Sequence, residues 1–343
     1  MTKKLLGIEI GNCRLKIAVT SGGILQDMIV AELPENLVRD GEIVSWEAAA
    51  DFLKETIKAN KIPGKQAAVV LPESLMYSKR VTLPAMTVDQ LKVNLPYEFH
   101  DYIAEEKEKY VYDYAVVQKN YSEDGKLTDM ELLAVAAPRE SIERYTNLCR
   151  RAGLKLVRIA PDFAALRNLI RKQEAFRGSQ EGHDYAILDL GHLNCKLYFF
   201  QKGEFEVDSV LQGGCDLIDR CIAESQDISE HNARLMKEAD REGILSSEAC
   251  ENVYSQIAVE VMRVLNFYNF NHPDNNVDVV YVCGGGTMIE PLKAAISGAC
   301  GMELVDLDQM EGIRGNIGAS GGEKAPGENI LRMGMAALGI AME

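Results

Sequence analysis

Residues 5–19 read Leu5-Leu6-Gly7-Ile8-Glu9-Ile10-Gly11-Asn12-Cys13-Arg14-Leu15-Lys16-Ile17-Ala18-Val19, and residues 185–200 read Tyr185-Ala186-Ile187-Leu188-Asp189-Leu190-Gly191-His192-Leu193-Asn194-Cys195-Lys196-Leu197-Tyr198-Phe199-Phe200. Each stretch is an apolar strand carrying an acid two residues before a glycine, then a short turn and an apolar return strand. That is the pattern of a β-hairpin. Glu9 corresponds to Asp189 and Gly11 to Gly191, each pair 180 positions apart. Two hairpins of one design, one opening each half, predict an α/β chain of two lobes with related topology. A length of 343 residues also suits two cores better than one.

Working outward, residues 33–150 mix strands and helices in an order that predicts a compact α+β insertion in the first lobe. Trp46 to Asn60 has helical spacing, Ala67 to Leu71 is a short apolar strand, and Tyr77 to Leu83 is a strand ended by Pro84. Val88 to Ile103 reads as a helix that Pro96 bends or interrupts. Two further strands, Tyr110 to Gln118 and Glu131 to Ala136, flank the turn Ser122–Gly125, and a helix from Glu140 stops at Gly153. The second half holds helices near Leu217–Ala223, Ser229–Asp240 and Ser247–Phe270. An apolar strand, Val277–Cys283, then runs into Gly284-Gly285-Gly286 and a helix to Cys300. The last helix spans Asn329–Met342. These readings place the lobes at 1–180 and 181–343.

Composition excludes some functions. A net charge of −15 argues against a nucleic-acid partner, which needs clustered lysine and arginine. The cysteines, at 13, 149, 195, 215, 221, 250, 283 and 300, have no CxxC spacing, so neither a zinc site nor a redox pair is expected. Free thiols fit a reducing cytoplasm. Glu9 breaks any signal-peptide core, and no apolar run approaches the ~20 residues of a membrane span.

Three glycine-centred turns follow apolar strands: Glu9-x-Gly11, Asp189-x-Gly191 and Gly284-Gly285-Gly286. Singly, each glycine is first a turn residue. Together they suit one chemistry. Glycine turns expose backbone N–H groups to phosphate oxygens, and an acid at the strand end can hold Mg²⁺ through water. A glycine turn that opens a helix lets the backbone approach a nucleoside closely.

These three motifs resemble, in order and spacing, the two phosphate motifs and the adenosine motif of the actin/Hsp70/sugar-kinase superfamily, whose fold is ribonuclease H-like. Within it the chain resembles the PilM family of type IV pilus assembly proteins. The resemblance lies in Leu71-Pro72-Glu73-Ser74, Lys79-Arg80-Val81-Thr82-Leu83-Pro84-Ala85-Met86, Ala136-Ala137-Pro138-Arg139-Glu140, Gly213-Gly214-Cys215-Asp216-Leu217 and Met335-Ala336-Ala337-Leu338-Gly339. It implies ATP with Mg²⁺ in an interlobe cleft and an SHS2-type 1C subdomain as the insertion, with a 2B subdomain at about 221–275. It also implies a cytoplasmic protein held at the inner membrane by partners. The implied partners are the short N-terminal cytoplasmic segment of a PilN-like membrane protein and other proteins of the assembly platform.

Carried over by position, Gly11, Asn12, Cys13 and Lys16 line the first phosphate loop, and Gly191, His192, Leu193 and Asn194 the second. Gly213 and Gly214 lie beside ribose and phosphates, Lys237 and Glu238 near adenine or ribose, and Gly284, Gly285, Gly286 and Thr287 at the nucleoside. Glu9 and Asp189 are the implied Mg²⁺ carboxylates, with Glu9 standing where the family normally has Asp. Asp162 is a candidate to position water for hydrolysis, or equally a helix cap. Leu83, Met86, Leu91 and Tyr97 are candidates for the partner groove, or equally subdomain core. Two other roles of the superfamily stay open at this point: a membrane-associated filament protein like FtsA or MreB, and a sugar-kinase-type enzyme.

Overall fold

The computed structural model describes residues 4–39, 41–178, 182–316 and 328–342. The expected lobe boundary at 180 falls outside them. The chain begins with β1 (Lys4–Ile10), β2 (Arg14–Ser21) and β3 (Ile24–Glu32), an antiparallel meander. A small ribbon, β4 (Val38–Arg39) with β5 (Glu42–Ile43), leads to α1 (Trp46–Ala59) and β6 (Gln66–Leu71). Next come β7 (Tyr77–Pro84), α2 (Val88–Asn94), β8 (Tyr110–Tyr121), β9 (Leu127–Pro138), α3 (Arg139–Arg151), β10 (Lys155–Pro161) and α4 (Asp162–Arg177). The second half repeats the meander as β11 (Tyr185–Leu190), β12 (Cys195–Gln201) and β13 (Glu204–Val210). It continues through α5 (Asp216–Gln226), α6 (Glu230–Glu238), α7 (Glu248–Asn271), β14 (Val279–Cys283), α8 (Glu290–Cys300) and β15 (Glu303–Asp306). Among the described residues, three short helices follow: α9 (Glu311–Arg314), α10 (Glu328–Met333) and α11 (Met335–Ala341).

The repeat anticipated from the two hairpins extends to whole sheets. One has the order β10-β6-β1-β2-β3, the other β15-β14-β11-β12-β13. In each, the hairpin's first strand lies centrally, antiparallel to its return strand and parallel to a later one. Central position explains composition. Leu6 and Ile8 of β1, and Ala186 to Leu188 of β11, are fully buried, as strands covered on both faces must be. Along β11, Tyr185 and Ile187 join a core shared with α4 and α11, while Ala186, Leu188 and Leu190 join a second core under α5 and α7. Phe163 of α4 stacks on Phe205 of β13 at 4.4 Å, so α4 ties the lobes together.

The insertion is narrower than 33–150. β6 is the parallel partner of both β1 and β10, and α1 contributes Ala49, Ala50 and Leu53 to the first-lobe core. An all-apolar strand such as Ala67–Leu71 gains most at the centre of a large sheet. What remains is the sheet β7-β9-β8 with α2 and its following turn, which has a core of its own built from Val81, Leu83, Leu91, Leu95, Phe99 and Leu132. Pro96 does interrupt the helix expected over 88–103. The α-helix stops at Asn94, and a 3₁₀ turn covers Leu95–Phe99. Thr87 and Gln90 close a capping box at its start.

The helix expected over 329–342 is broken at Gly334. Its second piece, α11, crosses β1 so closely that a Cβ on Gly7 would fall inside the carbonyl of Ala337 and within 2.9 Å of Ala341 Cβ. Arg158 Nη1 donates to Ile340 O at 3.0 Å and Asn168 Nδ2 to Gly339 O at 3.0 Å, satisfying carbonyls at the helix end. Gly7→Val therefore displaces α11. An unfolding free energy lower by about 2–3 kcal/mol in urea titration is expected, and an unchanged midpoint would contradict this packing.

Candidate functional site

Both hairpin turns, the Gly284 turn, α6 and the start of α4 open onto a single cleft of about 1270 Å³ between the lobes. The β-ladder places Glu9 opposite Lys16 and Asp189 opposite Lys196. Lys16 and Lys196 are thus equivalents in the two copies, again 180 positions apart. Lys196 was not singled out from the sequence, although that offset marks it.

The first turn is closed by Gly11 N donating to Arg14 O at 2.9 Å, and Asn12 Oδ1 accepts from Gly41 N at 2.9 Å. Lys16 is ion-paired to Glu9. Burial works against its ammonium, but Glu9 and Asp189 outweigh that and hold Lys16 above its usual pKa. Asp189 is the counterpart. Burial raises its carboxyl to about 6; Lys16 opposes the rise and Glu9 adds to it. A buried carboxylate crowded by a second acid is a group that a further cation stabilises.

In the second turn, His192 is lowered to about 4 by burial and then by Arg234 and Lys237, so its imidazole is neutral at pH 7. Cys215 N donates to Gly191 O and Asp216 N to His192 O, so the 213–216 segment straps this turn from behind. Cys13 is raised by burial, with Arg14 and Arg234 holding the rise back, and it faces the cleft as a protonated thiol.

At the third turn the glycines divide by task. Gly284 has φ +90°, and a Cβ there would overlap the Asp189 carboxylate. A Cβ on Gly286 would lie 2.6 Å from Cys215 Sγ and 2.7 Å from Leu190 Cβ. Both are demanded by packing. Gly285 is not: its Cβ would meet only Arg14 Nη1, at 3.9 Å. Its missing side chain leaves open cleft.

Arg14, Lys16, Lys196, Arg220, Arg234 and Lys237 collect here in a chain of net charge −15. Arg14 pairs with Glu238 across the cleft and donates to Met333 Sδ at 2.8 Å. Lys237 pairs with buried Asp219 at 2.6 Å.

Of the residues expected at the site, Glu9, Gly11, Asn12, Cys13, Lys16, Asp162, Asp189, Gly191, His192, Leu193, Asn194, Lys237, Glu238, Gly284, Gly285 and Gly286 line the cleft. Gly213, Gly214 and Thr287 do not. The two glycines lie behind the second turn, where a Cβ on Gly214 would be 2.6 Å from Leu193 C. Thr287 is fully buried, its hydroxyl donating to Gly284 O at 2.8 Å. Asp162 sits in the first turn of α4, with Oδ1 accepting from Phe163 N and Oδ2 from both Lys196 Nζ and Tyr198 OH at 2.8 Å. Both oxygens are engaged in holding structure. Leu83 and Leu91 are interior to the insertion, packed between α2 and its sheet, and so line no groove; Tyr97 is 59% exposed and Met86 half-buried.

Residues 7–343 match the family of type IV pilus assembly protein PilM. The chain belongs to that family. Its fold resembles a solved PilM-PilN type IV pilus biogenesis complex with TM-score 0.81 at 21% identity, covering 98% of this chain and 97% of that one. The ethanolamine utilization protein EutJ from Carboxydothermus hydrogenoformans follows at TM-score 0.61 and 17% identity, covering 99% and 89%. MreB5 of Spiroplasma citri bound to AMPPNP is more distant, at 0.49 and 15%, covering 92% and 95%. No curated protein matches. The fold is thus the actin-like ATPase fold built on two mixed sheets, as expected for the PilM family. Among the described residues no helix is long and apolar enough to cross a membrane.

A pH dependence follows from Asp208 on β13. Burial, and then the Glu73 carboxylate beside it, raise its carboxyl from 3.8 to about 7. The folded state therefore keeps a proton that the unfolded chain releases between about pH 4 and 7, and stability falls as pH rises through that window. Asp208→Asn removes that loss, on the order of 1 kcal/mol after solvent screening. Its melting temperature should decline less between pH 5 and 8 than that of the native chain. Equal declines would contradict the assignment.

Proposed function

We propose that the chain is the ATP-binding, actin-like component of a type IV pilus (or related) assembly platform, working on the cytoplasmic side and docking a short segment of a PilN-like membrane protein. The observation that carries the nucleotide half is the convergence of three glycine turns and six cationic side chains on one cleft. Backbone N–H groups at the Gly11 and Gly191 turns suit phosphate oxygens. Lys16 supplies a buried positive charge, and Gly285 supplies room for a nucleoside.

Magnesium fits this arrangement through water. Among the described residues no three candidate side chains converge to ligate a metal directly. Mg²⁺ commonly uses one or two carboxylates plus phosphates and waters. Asp189, buried and raised, is the natural carboxylate; Glu9 is second, already paired with Lys16. Bound there, the ion would supply charge neutralisation for the polyphosphate. Asp162, tied to Lys196 and Tyr198, supports a binding role for the cleft more than a hydrolytic one.

Isothermal calorimetry with Mg-ATP tests this reading. Saturable 1:1 binding is expected. Gly285→Val should weaken it about 100-fold with an unchanged melting temperature, because its side chain enters open cleft. Absence of binding by the native chain, or native affinity in the variant, would defeat the nucleotide reading.

The partner half rests on family membership and on the solved relative, a PilM-PilN complex. On the insertion, the surface left for a peptide includes Val93, 63% exposed, and Tyr97 one helical turn on, with Lys107 Nζ 4.6 Å above the Tyr97 ring. Exposed apolar side chains of this kind mark contact sites. Val93→Asp should reduce affinity for an N-terminal PilN-like peptide about tenfold in fluorescence anisotropy. Unaltered affinity would place the docking surface elsewhere.

A further inference from the structure

Two side-chain bridges link the insertion to the second lobe, one at β13 and one at β12. Arg80 of β7 donates to Phe205 O at 2.6 Å, pairs with Glu206 at 2.7 Å and is anchored within its own sheet by Glu131 at 2.7 Å. The second bridge starts at Glu73, in the 3₁₀ turn (Glu73–Leu75) that leads the chain from β6 into the insertion. Lys196 Nζ donates to Glu73 Oε2 at 2.9 Å and to Asp162 Oδ2 at 2.8 Å. Asp208 of β13 lies against Glu73 and within electrostatic reach of Lys196. Three carboxylates from three segments thus gather around one ammonium: the insertion's entrance, the start of α4 and β13.

That ammonium is also a wall of the cleft. Lys196, Glu73 and Asp162 line it together with Asn194 of the second turn. An anionic ligand seated on that turn competes with the carboxylates for Lys196, and a polyphosphate carries more charge than any one of them. Once Lys196 turns toward the ligand, Glu73 loses its ion pair to β12, and the Asp208 carboxyl beside it loses the ammonium that opposes its raised pKa.

We propose that Lys196 is a positioning relay: a polyphosphate in the cleft draws its ammonium from Glu73, loosening the insertion's entrance from β12 while the Arg80 bridge to β13 persists. Nucleotide occupancy is thereby transmitted to the subdomain that carries the exposed Val93 and Tyr97. The relay rests on the nucleotide reading above for its trigger, while the bridges themselves are independent of it.

Hydrogen exchange measured by mass spectrometry on the full chain, beside calorimetry on the same samples, separates the two. Without nucleotide, Lys196→Met and Glu73→Gln should each speed exchange in 72–84 and 204–210 about fivefold. Mg-ATP should do the same to the native chain and add nothing to Lys196→Met. Arg80→Met should loosen the same segments but keep the response to nucleotide, a distinction that a merely structural Lys196 would not produce. If Lys196→Met fails to fold, Glu73→Gln carries the test. Calorimetric binding with unchanged exchange overturns the relay alone, as does native exchange in the folded variants. No calorimetric binding overturns the nucleotide reading and the relay's trigger with it.

Discussion

A carboxylate at the buried end of a central strand must be matched by positive charge, and Asp189 is in that position. It lies against the Gly284 turn on one side and feels Lys16, from the opposite lobe's hairpin, on the other. Its surroundings are built from three separate parts of the chain: the end of β11, the return strand of the first hairpin and the glycine turn after β14. None of these can shift far without stranding the charge. The cleft geometry follows from this, since fixing Asp189 brings the two hairpin turns and the Gly284 turn around the same space.

Glycine does different work at neighbouring positions. Gly7 is required so that α11 can cross β1, and Gly284 and Gly286 so that the third turn can touch β11 and Cys215. At Gly285 and its immediate surroundings the protein has room to spare. A glycine where packing does not ask for one leaves a surface open to a ligand, and here the side chain nearest that surface is Arg14.

Much of this was legible in the sequence because it rests on local pattern. The hairpins, the strand before Gly284 and the helices α1, α3, α5 and α7 show their periodicity plainly. The strands β3, β13 and β10 do not, being sheet-edge segments with polar residues interspersed, such as Gln26 and Asp27 in β3 or Lys155 and Arg158 in β10. The insertion reads wider in the sequence than in the fold because an apolar strand such as β6 carries no label for the sheet it joins. Leu83 and Leu91 were ambiguous for a related reason: an apolar residue beside a proline reads alike in a groove and in a core, and only the packing of α2 on its sheet decides. Thr287 and the Gly213-Gly214 pair show the limit of placing residues by likeness of motif. They support the cleft from behind, and Lys196, marked in the sequence only by its 180-residue offset from Lys16, lies inside it.

On this reading the cleft holds one polyphosphate between the two hairpin turns, with its nucleoside at Gly285. A crystal structure of the protein grown with Mg²⁺ and a non-hydrolysable ATP analogue addresses it most directly. Phosphate oxygens are expected on the backbone N–H groups of the Gly11 and Gly191 turns, the ion beside Asp189 and the nucleoside over Gly285. An analogue bound elsewhere, or lying in the cleft with its phosphates away from both turns, would contradict it.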